Sequence, residues 1–203
     1  MPIGDRFDEV LVAAQHGEDH AFAVIYRDLA PLVLAYLRSN GSRDAEDLTS
    51  EVFVAVVRNI SRFSGSEESF RSWVLTIAHR RLIDEFRHRS RRPEDPVIPD
   101  DVQARAGPTP TTAESEALDE LATKGVGDAL DELTDDQRAV ITLRILADVP
   151  IKDVAAILNK PETAVKSLQH RALATLARNL RSRDVATDEE VATQQYPNDD
   201  ERR

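Results

Sequence analysis

The sequence predicts an all-α protein: two small helical domains joined by a flexible linker. Three observations carry that expectation. Apolar residues recur at three- and four-residue spacing through nearly every patterned segment. Aromatic residues make up 5% of the chain and there are only seven glycines in 203 residues, which favours helices over strands and turns. Composition also breaks once, at Pro93, where a stretch rich in Pro, Thr and acid separates two patterned halves.

Taken in order, Phe7, Val10, Leu11 and Ala14 lie at helical spacing and Gly17 is a natural stop. The next run carries Phe22, Ile25, Tyr26, Leu29, Leu32, Val33 and Tyr36, with Pro31 expected to kink or divide it. "NGSRD" is a turn, "DAEDLTSEVFVAVVRNISRF" a strongly apolar helix, and "SGSEE" a short loop into the long helix "SFRSWVLTIAHRRLIDEFRHRSRR". Four helices on short connections make a bundle. These fill the first domain, 5–92. The linker follows at 93–113, with too little to bury.

The second domain is placed at 114–183. Its first segment, "ALDELATKGVGDALDEL", is helix-like although Gly125 and Gly127 each weaken it by about 1 kcal/mol relative to alanine. "TDDQ" forms a capping box, in which Thr134 caps a helix and Gln137 reaches back. Then "IKDVAAILNKPETAVKSLQHRALATLARNL" has the punctuation of a helix-turn-helix. Val154, Ala155 and Leu158 face inward, Asn159 takes a left-handed C-cap, and Pro161 opens the second helix. On that second helix Val165, Leu168, Ala172 and Leu176 share one side. Thr163, Lys166, Ser167, His170 and Arg171 share the other, a set able to bond phosphates and base edges in a major groove. The acidic tail 184–203 has too few large apolar residues to fold alone.

Charge is distributed unevenly. The formal net charge is −11, yet residues 71–92 hold Arg71, Arg80, Arg81, Arg87, Arg89, Arg91 and Arg92 against Asp84 and Glu85. Seven arginines exceed what a helix dipole calls for, and a polar loop adjoins them, so this surface favours a strand of nucleic acid. On the preceding helix Asp44, Asp47, Glu51 and Arg58 share a face, which suits either solvent or a basic partner helix. The chain has no cysteine, so it holds no disulfide or thiolate metal site. His16 and His20 stand four apart, but a helix stop at Gly17 separates them and no metal is expected. There is no Gly-rich phosphate loop and no nucleophile elbow, so the chain reads as no enzyme and calls for no cofactor. No apolar run approaches the ~20 residues of a membrane span and no secretory leader pattern opens the chain, which gives a cytoplasmic expectation without membrane insertion.

The three segments "DAEDLTSEVFVAVVRNISRF", "SFRSWVLTIAHRRLIDEFRHRSRR" and "LDELTDDQRAVITLRILADVPIKDVAAILNKPETAVKSLQHRA", in this order and spacing, resemble a bacterial sigma factor of the extracytoplasmic-function (group IV) type. The resemblance implies that the first domain binds RNA polymerase core and opens the −10 element, and that the second reads the −35 element. Carried over residue by residue, Asp44, Asp47, Leu48, Glu51 and Arg58 correspond to the face that meets a coiled coil on the largest polymerase subunit. Phe63, Ser64, Ser69, Phe70, Trp73, Thr76, His79, Arg80 and Arg87 correspond to the surface that captures a flipped base of the −10 element. Thr163, Lys166, Ser167, His170 and Arg171 correspond to the −35 reading helix. The same resemblance implies as partners promoter DNA, the flap of the second-largest subunit, and an anti-sigma factor of the kind that often controls such proteins. Arg80 stands where the family often has Asn, Leu168 and Gln169 where it commonly has Arg then an apolar residue, and Pro150 where Ser or Thr usually caps. The competing expectation is a stand-alone helix-turn-helix regulator that binds duplex operator DNA.

Overall fold

The computed structural model describes residues 3–91 and 129–195, with side chains from 179 onward excepted. A 3₁₀ turn, Gly4–Arg6, leads into α1 (Phe7–Gln15), followed by α2 (Asp19–Ser39) and α3 (Ala45–Asn59). A second 3₁₀ turn, Ile60–Arg62, and a four-residue loop precede α4 (Glu67–Ser90). Beyond helical residues 129–131 come α5 (Asp135–Ile141), a wide π turn over Thr142–Leu146, α6 (Ile151–Leu158) and α7 (Glu162–Gln195). No strand occurs among the described residues. The linker and the segment around Gly125 and Gly127 lie outside them.

α2 is the central post of the first bundle. It packs against α1, α3 and α4, and Ala21, Ile25, Leu29, Val33, Tyr36 and Leu37 line its buried stripe. By length and composition alone this helix is apolar enough to cross a membrane, contrary to the sequence expectation; its buried stripe makes it a core helix here. Pro31 sits inside it without dividing it. Proline removes one N–H donor, and the packing of Val33, Tyr36 and Leu37 on the far side holds the helix together across that gap. α3 contributes Val52, Phe53 and Val56, and α4 contributes Phe70, Val74, Leu75, Ala78 and Leu82.

The capping box forms as the sequence predicts: the Gln137 amide N–H donates to the Thr134 hydroxyl and the Thr134 N–H donates to the Gln137 side chain. α6 ends at Asn159 in the left-handed region (φ 51°, ψ 47°), and the Lys160 N–H closes the turn on the Ala155 carbonyl at 2.9 Å. α7 begins just after Pro161 and runs to Gln195, into the segment expected to lack structure. "RSRDVATDEEVATQQ" contains neither Gly nor Pro, so each added residue extends an existing helix without a new nucleation cost.

The two halves do not stand apart. Val140, Leu143, Ala147, Val149, Val154, Ile157, Val165 and Leu168 of the second half join the same buried cluster as α1–α4, while Leu133, Ile141 and Ala172 form a small core of their own. α4 packs on α6, and α2 on the π turn. Two polar bridges cross this contact. The Ser72 hydroxyl donates to Asp153 Oδ2 at 2.8 Å, and the Asn40 side-chain amide donates to the Tyr36 carbonyl at 2.7 Å and Thr142 Oγ1 at 3.0 Å. Asn40 and Thr142 are both buried, so each would be costly to leave unpaired.

Because Leu75 of α4 is fully buried in the main core cluster, Leu75→Ala is expected to cost about 2–5 kcal/mol of unfolding free energy in urea titrations. Val57→Ala, on an exposed position of α3, should fall within about 0.5 kcal/mol of the parent.

Candidate nucleic-acid interfaces

α4 starts where Ser66 caps it: the Ser66 hydroxyl accepts from the Ser69 N–H at 3.3 Å, and Glu67 and Glu68 sit in the positive first turn. The preceding loop is tight. Gly65 has φ +151°, and a Cβ there would come within 3.3 Å of both the Phe63 ring and Ser69. Phe63, Phe70 and Trp73 pack against one another in edge-on and tilted pairs with ring centroids 5.0–5.4 Å apart, and Phe7 closes the group against Phe70 at 5.6 Å. Phe63 and Trp73 are half-buried and Ser64 and Ser69 are exposed. Phe70 is only 1% exposed, which corrects its assignment to a DNA-facing surface: its ring supports Phe63 and Trp73 from beneath.

Further along α4, Thr76 and His79 are half-buried while Arg80 and Arg87 are exposed. The Tyr36 hydroxyl lies 2.9 Å from His79 Nδ1. Burial pushes the Tyr36 phenol above its ordinary range and holds the His79 imidazole below its own. Asp136 opposes the His79 shift and Lys160 reinforces it, both weaker than burial. A protonated phenol can donate to or accept from a neutral imidazole, so the contact is compatible with either His79 tautomer. Tyr36 thus holds the ring of a candidate base-reading residue in place. Sequence gave no sign of this, because the two residues are 43 positions apart.

Part of the arginine cluster is balanced locally. Arg71 approaches Glu67 at 4.0 Å, Arg81 approaches Glu51 at 3.6 Å, Arg87 pairs with Asp84 at 3.4 Å, and Arg89 pairs with Glu85 at 3.9 Å while lying over the Phe86 ring. Arg80 and Arg91 have no carboxylate partner among the described residues. Arg92 lies outside them. The exposed pairs among these, Arg81–Glu51 and Arg87–Asp84, are worth little, whereas Arg71–Glu67 and Arg89–Glu85 are partly buried.

Asp44, at the N-cap of α3, and Asp47, Glu51 and Arg58, on the helix itself, are all exposed. Leu48 is 8% exposed and belongs to the core, which corrects its place on the partner-facing surface. Sequence analysis missed Val54 and Val57, exposed by 49% and 50% beside the acidic residues. Val54 follows Glu51 by three positions and Asp47 by seven, so a wheel of this helix contained the signal.

α7 divides cleanly. Thr163, Lys166, Ser167, His170 and Arg171 are exposed, while Val165, Leu168 and Ala172 are buried against the rest of the second half. Gln169 is half-buried at the boundary. Lys160, in the turn before this helix, is tied to Asp136 at 2.9 Å.

The surfaces on α4 and the helix-turn-helix come together in an unexpected way. Thr76, His79, Arg80, Ile83, Asp84 and Arg87 form one wall of a cleft, and the end of α6, residues 156–159, forms the other. The second half of the chain therefore lies across part of the polar face of α4. His16 and His20 are separated by the helix break: the first ends α1 with Nδ1 2.7 Å from the Val12 carbonyl, and the second lies 3.4 Å from Glu18.

Two family models match the chain, Sigma-70 region 2 over residues 25–92 and Sigma-70 region 4 over residues 124–176. The ECF RNA polymerase sigma factor BldN of Streptomyces coelicolor is 33% identical over 177 residues, covering 86% of this chain and 66% of BldN. The ECF RNA polymerase sigma factor SigX of Bacillus subtilis is 33% identical over 153 residues, covering 72% of this chain and 76% of SigX. Among solved structures, the sigma factor RpoE of Bartonella quintana, determined with the anti-sigma factor NepR, has the same fold. Its TM-score is 0.62 at 23% identity, with 79% of this chain and 96% of that one covered.

His79 gives the packed form a pH signature. Its folded pKa is below the ordinary 6.5, so the unfolded chain takes up the proton first as pH falls. Its contribution is complete above about pH 6.5 and is lost progressively as pH drops from there through the folded pKa. Thermal unfolding measured between pH 7.5 and 5.5 should show this loss, and His79→Gln should flatten that part of the profile.

Proposed function

This chain belongs to the extracytoplasmic-function sigma factors of the sigma-70 family, which direct RNA polymerase to specific promoters and help open the −10 element, and from that premise we propose which of its surfaces perform each step. The exposed acidic residues of α3, Asp44, Asp47 and Glu51, together with Arg58, meet a basic coiled coil of the largest polymerase subunit. Val54 adds apolar contact within that stripe. The loop from Phe63 to Ser69 with Trp73, Thr76, His79, Arg80 and Arg87 takes the −10 non-template strand. Thr163, Lys166, Ser167, His170 and Arg171 enter the major groove at the −35 element.

The observation that carries this reading is the two-sided burial of α7: five polar or basic side chains on its exposed face and a packed apolar face behind them. A helix so presented, after a left-handed Asn cap, has the geometry of a major-groove reader. At α4 the energetics are those of exchange. Opening a duplex costs about 1.4 kcal/mol per base step, and a base held out of the stack by aromatic or polar groups returns part of that cost. The chemistry of RNA synthesis belongs to the polymerase, so this chain needs no catalytic constellation.

A span argument sets a condition on the mechanism. The −10 and −35 elements are about 25 base pairs apart, roughly 85 Å at about 3.4 Å per pair. Here α4 and α6 touch through Ser72 and Asp153. Both elements are held at once only when the halves separate.

Purified chain mixed with core polymerase should co-elute with it and start transcription on a subset of genomic promoters. Binding of a duplex operator with no response to core would overturn the reading in favour of a stand-alone regulator. Arg171→Ala should cost about 1–3 kcal/mol of promoter affinity and relax sequence preference at one position of the −35 element, measured on a panel of single-base promoter variants. Charge reversal at Asp47 and Glu51 should weaken core binding at least tenfold, read by fluorescence anisotropy, while the thermal midpoint stays unchanged.

A further inference from the structure

We propose that Gln15, the last residue of α1, is a positioning residue for base capture: its side-chain amide fixes the entry of the loop that receives the flipped base of the −10 strand. This rests on the reading of that loop given above. Gln15 Nε2 donates to the Ile60 carbonyl at 3.0 Å and to the Phe63 carbonyl at 2.8 Å. Those two acceptors bracket the 3₁₀ turn Ile60–Arg62, where α3 ends and the loop begins. Both N–H bonds of one amide are therefore used on the same short stretch of backbone. The Phe63 carbonyl belongs to the residue whose ring packs against Phe70 and Trp73, so the amide sets the position of the aromatic group as well as the path of the chain.

The far side of the loop is held from the same terminal segment. The Glu67 carboxylate, at the start of α4, accepts from the Ile3 N–H at 2.7 Å and the Gly4 N–H at 3.0 Å. Between the two anchors lie Ser64, Gly65 and Ser66, with Gly65 at φ +151° and Ser66 bound to the Ser69 N–H. The loop thus has a fixed entry, a fixed exit and three residues of span. A pocket that must select one base needs its walls held to within about 0.5 Å, and hydrogen bonds from supporting residues are the usual means. Gln15, Ile3 and Gly4 all lie before position 25, where the match to Sigma-70 region 2 begins, so the half of the clamp that grips the loop from outside is supplied by α1 and the residues just before it.

The alternative role for Gln15 is to hold α1 onto the bundle. Phe7, Val10, Leu11 and Ala14 already do so through the core, and the amide bonds only to loop-entry carbonyls among the contacts described. The two roles differ in what they change. Loss of α1 docking would lower the thermal midpoint and core affinity together. Loss of loop placement would leave both and alter the response to the base.

The test uses the full chain with core polymerase on forked promoter fragments carrying 2-aminopurine in the non-template −10 strand, in four versions that differ at the captured base. Gln15→Leu should keep core affinity while reducing the fluorescence rise on opening at least fivefold and narrowing the preference among the four bases. Gln15→Lys, which restores N–H donors of similar reach, should recover most of both. If Gln15→Leu lowers the thermal midpoint and core affinity with base preference intact, or leaves opening unchanged, the inference fails. If the parent chain itself gives no core-dependent fluorescence rise, the failure belongs to the base-capture reading and not to the clamp.

Discussion

The structure depends on one demand placed on α4: its buried side must complete two packings at once while its other side stays polar. Phe70, Val74, Leu75, Ala78 and Leu82 close the bundle against α2 and α3, and the same helix receives α6. A helix fixed on so much of its circumference has little freedom to roll. The loop before it, the Phe63–Phe70–Trp73 group and the imidazole of His79 are held in one register by that packing. The arginines occupy what is left, and most of those described are neutralised by carboxylates on α4 itself or on α3. That arrangement shows how an acidic chain carries a local basic surface whose exposed pairs, Arg81–Glu51 and Arg87–Asp84, are individually weak.

Legibility in the sequence followed the range of the interaction. The Thr134–Gln137 capping box and the Asn159 turn are decided within a few residues, and both could be read directly. The exposed face of α7 was equally readable, because a 3.6-residue period with Val165, Leu168 and Ala172 on one side leaves little choice about the other. Phe70 and Leu48 show where this stops. Each lies at the margin between an apolar stripe and a functional one, and a wheel cannot tell a ring that supports the surface from a ring on it. Pro31 was read by its local penalty, which burial of the helix on both sides of it overrode. The Tyr36–His79 contact, the Gln15 amide and the Ser72–Asp153 bridge join residues 43 to 81 positions apart and leave no local trace.

The packed relation of the two halves gives the account its shape. The shared buried cluster and the Asn40–Thr142 and Ser72–Asp153 bridges tie the helix-turn-helix to the bundle. The same contact sets the end of α6 over Thr76, His79 and Arg80. In this conformation the end of α6 covers part of the polar face of α4, while the polar face of α7 stays exposed.

The most direct test is the distance between α4 and α7 before and after assembly. The chain has no cysteine, so spin labels at His88→Cys and Ala174→Cys, both exposed positions, report it without background. Pulsed dipolar spectroscopy should give one short, narrow distance in the free protein and a distance longer by tens of ångströms on core polymerase with promoter DNA. An unchanged distance in the transcribing complex would contradict the account.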